Sequence, residues 1–536
     1  MKSLYALLDT WGTAVAGTSH PQPPSYAGPD VTISGFVEHT GLVEPGKCFV
    51  ARVRTGTDGH PYIGKAVAQG ASLILGQRPA AELDVDFGDT PYLEVADTAV
   101  TLAWLSAAYY DFPGRQLVMI GVTGTDGKTT TSSLIYHVLK AAGLQTGLLS
   151  TIKAVIGQTE EPLALHVTTP EAPVVQRYLR RMVDAGLTHC VLETTSHSLA
   201  QHRVDGIDFD ISVVTNITHE HLDYHGGYEG YFAAKARLFE ALGLDALAVE
   251  THNPYKRRVV KTAVLNRDDS SYERLVTIDV PRRMSYGLYE TADVTATDLR
   301  FSADATQYQL SLPGQNGNRE LVHSHLVGEF NVYNMLAAAA VGEALGLSPA
   351  QVRDGLEAVQ ILTGRMEPVN EGQEFLVIVD FAHTPNGLAK AIGAAKGIAK
   401  GRVITVFGSA GKRDVEKRRM MAEISARDAD LTVLTAEDPR TESLEDILAM
   451  MAAGCRSEGG VEGETFWRIP DRGRAIYFAL SLAQLDDLVL ICGKAHEQSM
   501  CFGTIEYPWD DLVATRTAIK AFREGEAMPD MGLPTF

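Results

Sequence analysis

The amino-acid sequence predicts an α/β protein with three domains, in which a central doubly wound domain is flanked by an N-terminal and a C-terminal α/β domain. The 536 residues exceed what a single core usually holds. Continuous apolar runs, typical of strands buried on both faces, alternate with helical stretches, as in mostly parallel sheets. A turn-forming segment at 112–115 and a further break near 360 give predicted domains at 1–112, 113–359 and 360–536.

The N-terminal domain is predicted from short apolar runs and two helices. Strands are predicted at 47–51 and 71–75, and an alanine-rich helix near 96–110. The first eleven residues predict an amphipathic helix rather than a secretion signal, because Asp9 interrupts the apolar run before a signal core could form.

The sequence predicts one sheet in the central domain and another in the C-terminal domain. In the central domain, a strand at 116–122 precedes a glycine-rich loop and a helix at 130–142, and further strands are predicted at 188–193, 211–215 and 247–249. The C-terminal domain is predicted to contain strands at 375–380, 402–408, 431–435 and 487–492. The alternation with helices indicates a doubly wound centre and a Rossmann-like C-terminal domain.

Composition and charge exclude several classes of protein. The formal net charge of −20 disfavours binding to nucleic acid or to membrane surfaces. No run of eighteen apolar residues is present, so no membrane insertion is expected. The five cysteines lack CxxC spacing, which argues against a zinc site or a disulfide framework and favours a reducing cytoplasm.

The loop Gly124-Thr125-Asp126-Gly127-Lys128-Thr129-Thr130 carries the strongest chemical signal. Glycines allow backbone N–H groups to close around phosphate oxygens, Lys128 supplies positive charge, and Thr129 or Thr130 supplies a hydroxyl to Mg²⁺. The spacing misses the regular Walker motif by one residue, since Val122 stands where that motif has its first glycine. A buried strand before the loop and a helix after it predict a nucleotide site rather than an ordinary strand–helix turn.

At this loop the sequence resembles the Mur ligases, whose signature is T-G-T-(N/D)-G-K-T. The resemblance covers almost the whole chain in the family's order and is closest to the MurE type, which adds the third residue of the cell-wall peptide. The matching segments are 168–170, 193–204, 215–226, 231–235, 328–334, 364–367, 380–385, 438–442 and 493–497. Together these segments are far more specific than any one of them.

This resemblance implies an ADP-forming ligase that adds a diamino acid to UDP-N-acetylmuramoyl-L-alanyl-D-glutamate. ATP would activate the substrate carboxylate as an acyl phosphate, with Mg²⁺ neutralising phosphate charge, and the amine would then displace phosphate. The first domain is expected to bind the UDP-sugar, the second to be a P-loop ATPase, and the third to receive the amino acid and close over the site. A cytoplasmic monomer with only small-molecule partners is expected.

The resemblance also assigns the ATP and metal residues. The implied ATP-binding residues are Gly124, Thr125, Asp126, Gly127, Lys128, Thr129, Thr130, Asn331, Asn334, Arg365 and Asp380. The implied catalytic residues are Lys128, Glu193, Lys235 and Asp380, and the implied metal-binding residues are Thr129, Glu193, His221 and Lys235. Lys235 matches the lysine that is carbamylated in this family. An ammonium cannot bind Mg²⁺, whereas the carbamate formed with CO₂ can.

The substrate residues follow from the same segments. The UDP-sugar-peptide is expected to contact Thr40, Thr55, Thr168, Thr169, Thr195, Gln201 and Arg203, whose hydroxyl, amide and guanidinium groups suit carboxylate and amide ligands. The chain departs from the family at 39–41, where His-Thr-Gly replaces the usual Asp-Ser-Arg. The amino acid is expected to contact Arg413, Glu437, Asp438, Pro439, Arg440, Gly493 and Glu497.

The identity of the amino acid stays open at this level. The family's meso-diaminopimelate enzymes carry Asp-Asn-Pro-Arg, and this chain has Glu437-Asp438-Pro439-Arg440. The retained Arg440 suits a carboxylate. The additional charge of Asp438 favours an ammonium over a second carboxylate, and therefore slightly favours lysine or ornithine over meso-diaminopimelate.

Two other functions are compatible with a nucleotide site. One is an enzyme of the same fold that acts on another carboxylate, as a folylpolyglutamate synthase does. The segments at 193–197 and 438–440, together with the first domain, oppose that reading. The other is a non-catalytic, nucleotide-gated binding protein, which the full set of metal-binding residues opposes.

Overall fold

A computed structural model describes residues 1–54, 57–163, 168–218, 222–302, 305–314 and 319–535. Two compact units are present. Unit 1 comprises Met1–Ile217, Tyr224–Thr295 and Leu336–Gly355, and unit 2 comprises Thr218–Asp223, Ala296–Met335 and Leu356–Phe536. Both units are mixed α/β structures, which confirms the predicted fold class.

The N-terminal part of unit 1 is built on a four-stranded parallel sheet. Its elements are β1 (Lys2–Ser3), α1 (Leu4–Ala14), β2 (Thr32–Ile33), β3 (Gly35–Val37), β4 (Lys47–Val50), β5 (Val53–Arg54), β6 (Thr57–Asp58), α2 (Ile63–Ala68), β7 (Leu73–Gly76), β8 (Tyr92–Glu94) and α3 (Thr98–Tyr109). The sheet order is β3-β4-β7-β8. Helices α1 and α3 pack together through stacked Trp11 and Trp104. The predicted strands and helices of this region are therefore confirmed.

The central part of the chain begins with β9, the strand that leads into the glycine-rich loop. Its elements are β9 (Val118–Thr123), α4 (Lys128–Ala141), β10 (Thr146–Leu149), β11 (Lys153–Ile156), β12 (Thr159–Pro162), α5 (Ala172–Asp184), β13 (His189–Glu193), α6 (Ser196–Ala200), β14 (Ile211–Val214), α7 (Leu222–His225), α8 (Tyr228–Gly243), β15 (Thr262–Asn266), α9 (Tyr272–Leu275), β16 (Arg282–Gly287), β17 (Val294–Phe301), β18 (Thr306–Ser311), β19 (Glu320–Ser324), α10 (Glu329–Ala344) and α11 (Pro349–Glu357).

In unit 1 the strand order is β12-β11-β10-β13-β9-β14-β15-β16-β17. The strands from β10 to β17 in this order pair in parallel, and β11 and β12 add an antiparallel edge. After β9 the chain forms β10 and β13 on one side of this strand and then β14 and β15 on the other, so the glycine-rich loop leaves the sheet at its topological switch point. Open α/β sheets bind ligands at such points.

The predicted strand at 247–249 is wrong. Leu247 packs into the apolar core formed around α1 and α3, and the Ala248 N–H donates to the Ala14 carbonyl at 2.7 Å. The next strand is β15, which begins at Thr262. The short apolar run is used for packing outside the sheet, a role that three residues cannot reveal by periodicity.

Unit 2 contains the later residues of β17, with β18 and β19, and a six-stranded sheet. The sheet's elements and those near it are β20 (Glu367–Pro368), β21 (Leu376–Asp380), α12 (Pro385–Ile398), β22 (Val403–Phe407), α13 (Glu416–Asp428), β23 (Leu431–Leu434), α14 (Leu444–Ser457), β24 (Phe466–Arg468), α15 (Arg472–Leu482), β25 (Leu488–Cys492), β26 (Ser499–Phe502), β27 (Ile505–Pro508) and α16 (Asp511–Glu524). The order is β20-β21-β25-β22-β23-β24, parallel except at β20.

Helices cover both faces of this second sheet. Residues of α15 and α16 share one apolar core with Val377 and Val379, whereas residues of α12, α13 and α14 share another with Ile378. Alternation of neighbouring β21 side chains between the two cores is what a strand buried on both faces requires. Across the described part of the chain, no helix is both long and apolar enough to cross a membrane.

Candidate active site

The glycine-rich loop connects β9 to α4 and is braced by the segment that follows β14. Asn216 accepts the Asp126 N–H through Oδ1 and donates to the Asp126 carbonyl through Nδ2, both at 3.1 Å. Thr215 Oγ1 donates to the same carbonyl at 2.6 Å. A Cβ on Gly124 would lie 1.8 Å from Thr215 Oγ1, so only glycine fits there. The loop is therefore fixed in place by Thr215 and Asn216.

Two buried or partly buried lysines contact the Gly124 carbonyl. Lys128 Nζ donates to the carbonyls of Gly124 and Thr125 at 3.0 and 2.8 Å, and Lys235 Nζ donates to Gly124 at 2.6 Å. Lys235 is 1% exposed and its ammonium lies 4.6 Å from the Tyr231 ring centre. Two positive charges thus lie at the loop that is predicted to bind polyphosphate.

Glu193 and Thr129 bring a carboxylate and a hydroxyl together at the loop. Thr129 Oγ1 lies 3.0 and 3.1 Å from the two Glu193 carboxylate oxygens, and the Thr151 N–H donates to Oε2 at 2.9 Å. Both residues are buried. A hydroxyl and one carboxylate suit Mg²⁺, which prefers hard oxygen ligands and usually shares substrate phosphates and water. The described residues hold no cluster of three or more His, Cys, Asp or Glu side chains suited to a metal.

A Glu193→Gln substitution should weaken metal use without removing the loop contact. The amide keeps one oxygen for Thr129 but loses the negative charge, so the Mg²⁺ concentration needed for half-maximal activity should rise about 10- to 100-fold. Titration of activity with Mg²⁺ measures this. Glu160→Gln, which alters an exposed carboxylate paired with Lys153 at 2.7 Å, is the control that should not change the requirement.

Unit 2 holds the other predicted nucleotide residues. In α10, Asn334 Nδ2 donates to Asn331 Oδ1 at 3.1 Å, and Asn331 donates to the Val327 carbonyl at 2.8 Å. Asp380 ends β21 and accepts the N–H groups of Met366 and Ala382 at 2.7 and 2.8 Å. The Arg365 guanidinium lies 4.8 Å from the Phe381 ring centre. Within this unit, the residues that follow Arg365 and Asp380 in the chain, Met366 and Phe381, thus contact Asp380 and Arg365 respectively.

The predicted UDP-sugar-peptide residues of the central sheet form one cluster. Thr169 Oγ1 donates to the Glu193 carbonyl at 3.0 Å and accepts the Thr195 N–H at 3.3 Å. Arg203 donates to the Thr169 carbonyl at 2.7 Å and to Gln201 Oε1 at 2.7 Å. Substrate-binding candidates therefore lie directly beside the metal-binding candidate Glu193.

Four residues that the sequence reasoning missed extend this cluster. Arg52 and Arg54 contact the Glu38 carboxylate at 2.9 and 2.6 Å, and Arg54 also contacts Glu171 at 3.1 Å. Glu171 pairs in turn with Arg203 at 2.9 Å. Burial raises the pKa of Glu38, although Arg52 opposes the effect. Two arginines at i and i+2, on one side of an extended segment in an acidic chain, were the available signal.

The remaining predicted UDP-sugar residues are Thr40, Thr55 and Thr168. Thr40 is buried in a short 3₁₀ turn, in which His39 Nδ1 accepts the Gly41 N–H at 3.1 Å. Thr168 is half-buried immediately before Thr169. Thr55 and His221 lie outside the described residues.

Two of the predicted amino-acid residues of unit 2 contact a buried ammonium. Lys494 Nζ contacts Asp438 Oδ1 at 3.0 Å and also contacts the Glu497 carboxylate. Burial alone would lower the pKa of Lys494, but Glu497 and Asp438 outweigh it and raise the pKa. Asp438 also accepts the Cys501 N–H at 2.9 Å. The charge of Asp438 is thus already balanced, which removes the reason for favouring lysine or ornithine.

The Asp438-Pro439-Arg440 segment is fixed by its neighbours. The Arg440 N–H donates to the Cys501 carbonyl at 3.0 Å, and Arg440 Nη1 donates to the Gly411 carbonyl at 3.3 Å. The buried Glu437 carboxyl packs against Gly493, where a Cβ would lie 2.3 Å from Oε2, and burial raises the pKa of Glu437. Arg413 is exposed between β22 and α13.

Comparison with known proteins bears on the whole chain. The family descriptions "Mur ligase middle domain" and "Mur ligase, glutamate ligase domain" match residues 122–342 and 364–495. A UDP-N-acetylmuramyl-tripeptide synthetase of Roseiflexus sp. (strain RS-1) is 42% identical over 91% of this chain and 94% of its own length. A UDP-N-acetylmuramoyl-L-alanyl-D-glutamate–2,6-diaminopimelate ligase of Geobacillus kaustophilus (strain HTA426) is 40% identical over 86% and 90%.

Solved structures give the same result for the fold. A structure of a UDP-N-acetylmuramoyl-L-alanyl-D-glutamate–2,6-diaminopimelate ligase has a TM-score of 0.60 at 29% identity and covers 92% of this chain and 95% of its own. MurF of Thermotoga maritima in complex with ADP has a TM-score of 0.58 at 18% identity, covering 91% and 97%. At that identity the second likeness concerns the fold alone.

Proposed function

Because the chain belongs to the Mur ligase family, we propose that it is an ADP-forming ligase that joins a diamino acid to UDP-N-acetylmuramoyl-L-alanyl-D-glutamate in peptidoglycan precursor synthesis. The observation that carries this proposal is that hydrogen bonds connect the Gly124–Thr130 loop to both Glu193 and Lys235. Such a loop serves phosphates, and a carboxylate and a hydroxyl beside it serve Mg²⁺.

The reaction divides into two steps. A glutamyl carboxylate oxygen of the substrate attacks the γ-phosphorus of ATP, ADP leaves, and an acyl phosphate forms. The amine of the diamino acid then attacks the acyl carbon, phosphate leaves, and one proton is released as the amide forms. Lys128 would exchange the Gly124 and Thr125 carbonyls for phosphate oxygens. Thr129 and Glu193 would hold Mg²⁺, which neutralises phosphate charge when bound.

We also propose that Lys235 works as a carbamate. The neutral amine would attack CO₂ and lose one proton, giving an N-carboxylate with one negative charge. An ammonium here would add a second cation next to Lys128 at the Gly124 carbonyl. Its conversion to an anion provides a further oxygen ligand and reverses the local charge.

The charges in the amino-acid site favour meso-diaminopimelate over lysine or ornithine. Asp438, Glu497 and Lys494 together leave one negative charge, and Arg440 adds one positive charge nearby in sequence. A neutral balance suits a side chain that ends in both an ammonium and a carboxylate, whereas lysine would bring an uncompensated cation. The similar proteins of Geobacillus are named for 2,6-diaminopimelate.

Removing the Asp438 charge should strengthen this preference. In Asp438→Asn, Lys494 keeps only Glu497 as an anionic partner, so the site becomes more positive and the ratio of kcat/KM for meso-diaminopimelate to that for lysine should rise about tenfold, or about 1.4 kcal/mol. Steady-state kinetics with each amino acid test this. Glu506→Gln on the surface of the β26–β27 hairpin is the control. A wild type that prefers lysine would refute the assignment.

The activity itself is tested by phosphate release. The purified chain should release phosphate from ATP only when Mg²⁺, UDP-N-acetylmuramoyl-L-alanyl-D-glutamate and a diamino acid are all present. Release with a folate and glutamate instead would favour the folylpolyglutamate-type alternative. ATP binding with no turnover under any of these conditions would favour a nucleotide-gated binding protein.

We propose further that the chain acts as a cytoplasmic monomer. All five cysteines are free thiols, as a reducing compartment requires. Light scattering at micromolar concentration measures the mass in solution, and a mass of twice 57.9 kDa would contradict the monomer.

A further inference from the structure

A fully buried ion pair lies at the carboxyl-terminal edge of the unit 2 sheet. Arg472 is the first residue of α15 and Asp511 the first residue of α16. Arg472 Nε and Nη2 donate to the two Asp511 carboxylate oxygens, each at 2.7 Å, and neither side chain is exposed. Burial alone would raise the pKa of Asp511, but the charge and hydrogen bonds of Arg472, with the hydrogen bonds from Trp509 and Ala495, together lower it.

The pair also holds the two backbone segments that carry the predicted amino-acid residues. Arg472 donates to the Ala436 carbonyl at 3.2 Å and to the Cys492 carbonyl at 2.8 Å. Ala436 directly precedes Glu437, and Cys492 directly precedes Gly493. Asp511 accepts the Ala495 N–H at 2.9 Å, inside the Gly493–Glu497 segment. One guanidinium and one carboxylate therefore connect both segments.

Stability alone does not account for an ion pair at this position. Replacing a buried ion pair by apolar side chains of similar volume is often neutral or stabilising. A cation at the first residue of α15 is also opposed by the helix dipole. What apolar side chains could not supply is the set of directional bonds to Ala436, Cys492 and Ala495, which fix the backbone on either side of Glu437 and Gly493.

We propose that Arg472 and Asp511 are positioning residues for the diamino acid. They set the distance and orientation between the Glu437–Arg440 segment and the Gly493–Glu497 segment, and thereby place the amine for attack on the acyl phosphate. This inference rests on the proposed ligase function. A misplacement of about 1 Å can lower the rate about a hundredfold, so a loss of these bonds should affect the amino-acid step strongly.

The decisive variant is Arg472→Met combined with Asp511→Leu, which removes both charges and keeps the buried volume apolar. We expect it to fold, because the paired replacement leaves no uncompensated charge. Its melting temperature should be lower than that of the wild type, because the Ala436 and Cys492 carbonyls and the Ala495 and Trp509 N–H groups lose these buried partners. The KM for the diamino acid should rise at least tenfold, while the KM values for ATP and for the UDP-sugar peptide change less than twofold.

The matched control lies at the opposite edge of the same sheet. Arg402 and Asp487 pair at 2.7 Å and immediately precede β22 and β25, at the amino ends of these strands. The predicted amino-acid residues instead follow the carboxyl ends of the strands. Arg402→Met with Asp487→Leu also deletes an arginine–aspartate pair. Its amino-acid KM should remain at the wild-type value, and an equal rise in the control would overturn the positioning role.

If the double variant does not fold, Arg472→Lys provides the test. A lysine retains the charge opposite Asp511 but cannot bond Asp511, Ala436 and Cys492 in the fixed geometry of a guanidinium. The amino-acid KM should again rise selectively, and an unchanged KM in either folded variant would overturn the proposal. A wild-type chain that needs no diamino acid for phosphate release would instead refute the ligase function itself, so the two failures are distinguishable.

Discussion

Lys235→Ala is expected to lower kcat about 10²- to 10³-fold, the loss typical of removing one preorganised charged group from an active site. Lys235 is buried and donates at 2.6 Å to Gly124, in the loop proposed to bind ATP, so an altered charge at this position would act directly on bound polyphosphate. If the working group is a carbamate, alanine removes an anionic metal ligand and leaves space for a small acid. Formate or acetate should therefore restore part of the turnover.

Kinetics and spectroscopy together separate this role from a structural one. Lys140→Ala, on the exposed side of α4, is the control and should keep wild-type kcat. With ¹³C-labelled bicarbonate, the wild type should give a carbamate carbon resonance that the Lys235→Ala variant lacks. Equal turnover for the variant and the wild type, or a resonance that persists in the variant, would contradict the carbamate assignment.

Lys256→Met is expected to destabilise unit 1 by about 3–5 kcal/mol, the cost of breaking a buried ion pair from one side. Lys256 Nζ lies 2.7 Å from Asp210 and 2.6 Å from the Asp208 carbonyl, and its side chain is not exposed. Asp208 would keep Arg115 at 2.6 Å and Lys261 at 3.0 Å. Asp210 would keep only the Met119 N–H among these contacts.

The pH dependence of the Lys256→Met defect follows from Asp210. Burial raises the pKa of Asp210 to about 6 even with Lys256 beside it. The pKa of Asp210 is therefore higher in the folded chain than its value of about 3.9 in the unfolded chain. The protonated carboxyl contributes to the stability of the folded state at low pH, and this contribution is lost as the pH rises towards and through 6. Without Lys256 the pKa rises further, so the defect should be larger at pH 8 than at pH 5.

Thermal denaturation measures these effects. A loss of 3–5 kcal/mol corresponds to a decrease of about 10 °C in the melting temperature of a unit this size. Lys153→Met, which breaks an exposed pair with Glu160, should lower it by about 3 °C or less. Adding Asp210→Asn to Lys256→Met should recover part of the loss, because no buried charge is then left uncompensated. No recovery would contradict an electrostatic cause.

Much of the fold could be predicted because buried parallel strands have a distinct pattern. The run at 116–122 is confirmed as β9, and the four predicted C-terminal strands correspond to β21, β22, β23 and β25. The edge strands β12 and β19 were not predicted, since their residues alternate or are largely polar and give no continuous apolar run. Their neighbour β11 has an apolar run of only three residues, which is too short to identify a strand.

The site could be predicted only where one short segment carries the chemistry. The loop at Gly124–Thr130 holds its glycines, lysine and hydroxyls in seven consecutive residues, so the sequence is enough. The balance of charge around Asp438 depends on Lys494, which is 56 residues away in the chain. Likewise, Glu38 and Glu171 meet at Arg54 only after folding. Pairings of this kind leave no local pattern.

The hydrogen bonds between Asn216 and Asp126 limit which substitutions each of these two positions can accept. Asn216 contacts Asp126 through the main-chain N–H and carbonyl. These bonds do not depend on which side chain residue 126 carries, so an exchange between aspartate and asparagine there would leave the brace in place. Asn216 must both accept and donate, and aspartate cannot donate when ionised. We therefore expect related sequences to carry either aspartate or asparagine at position 126 but only asparagine at position 216.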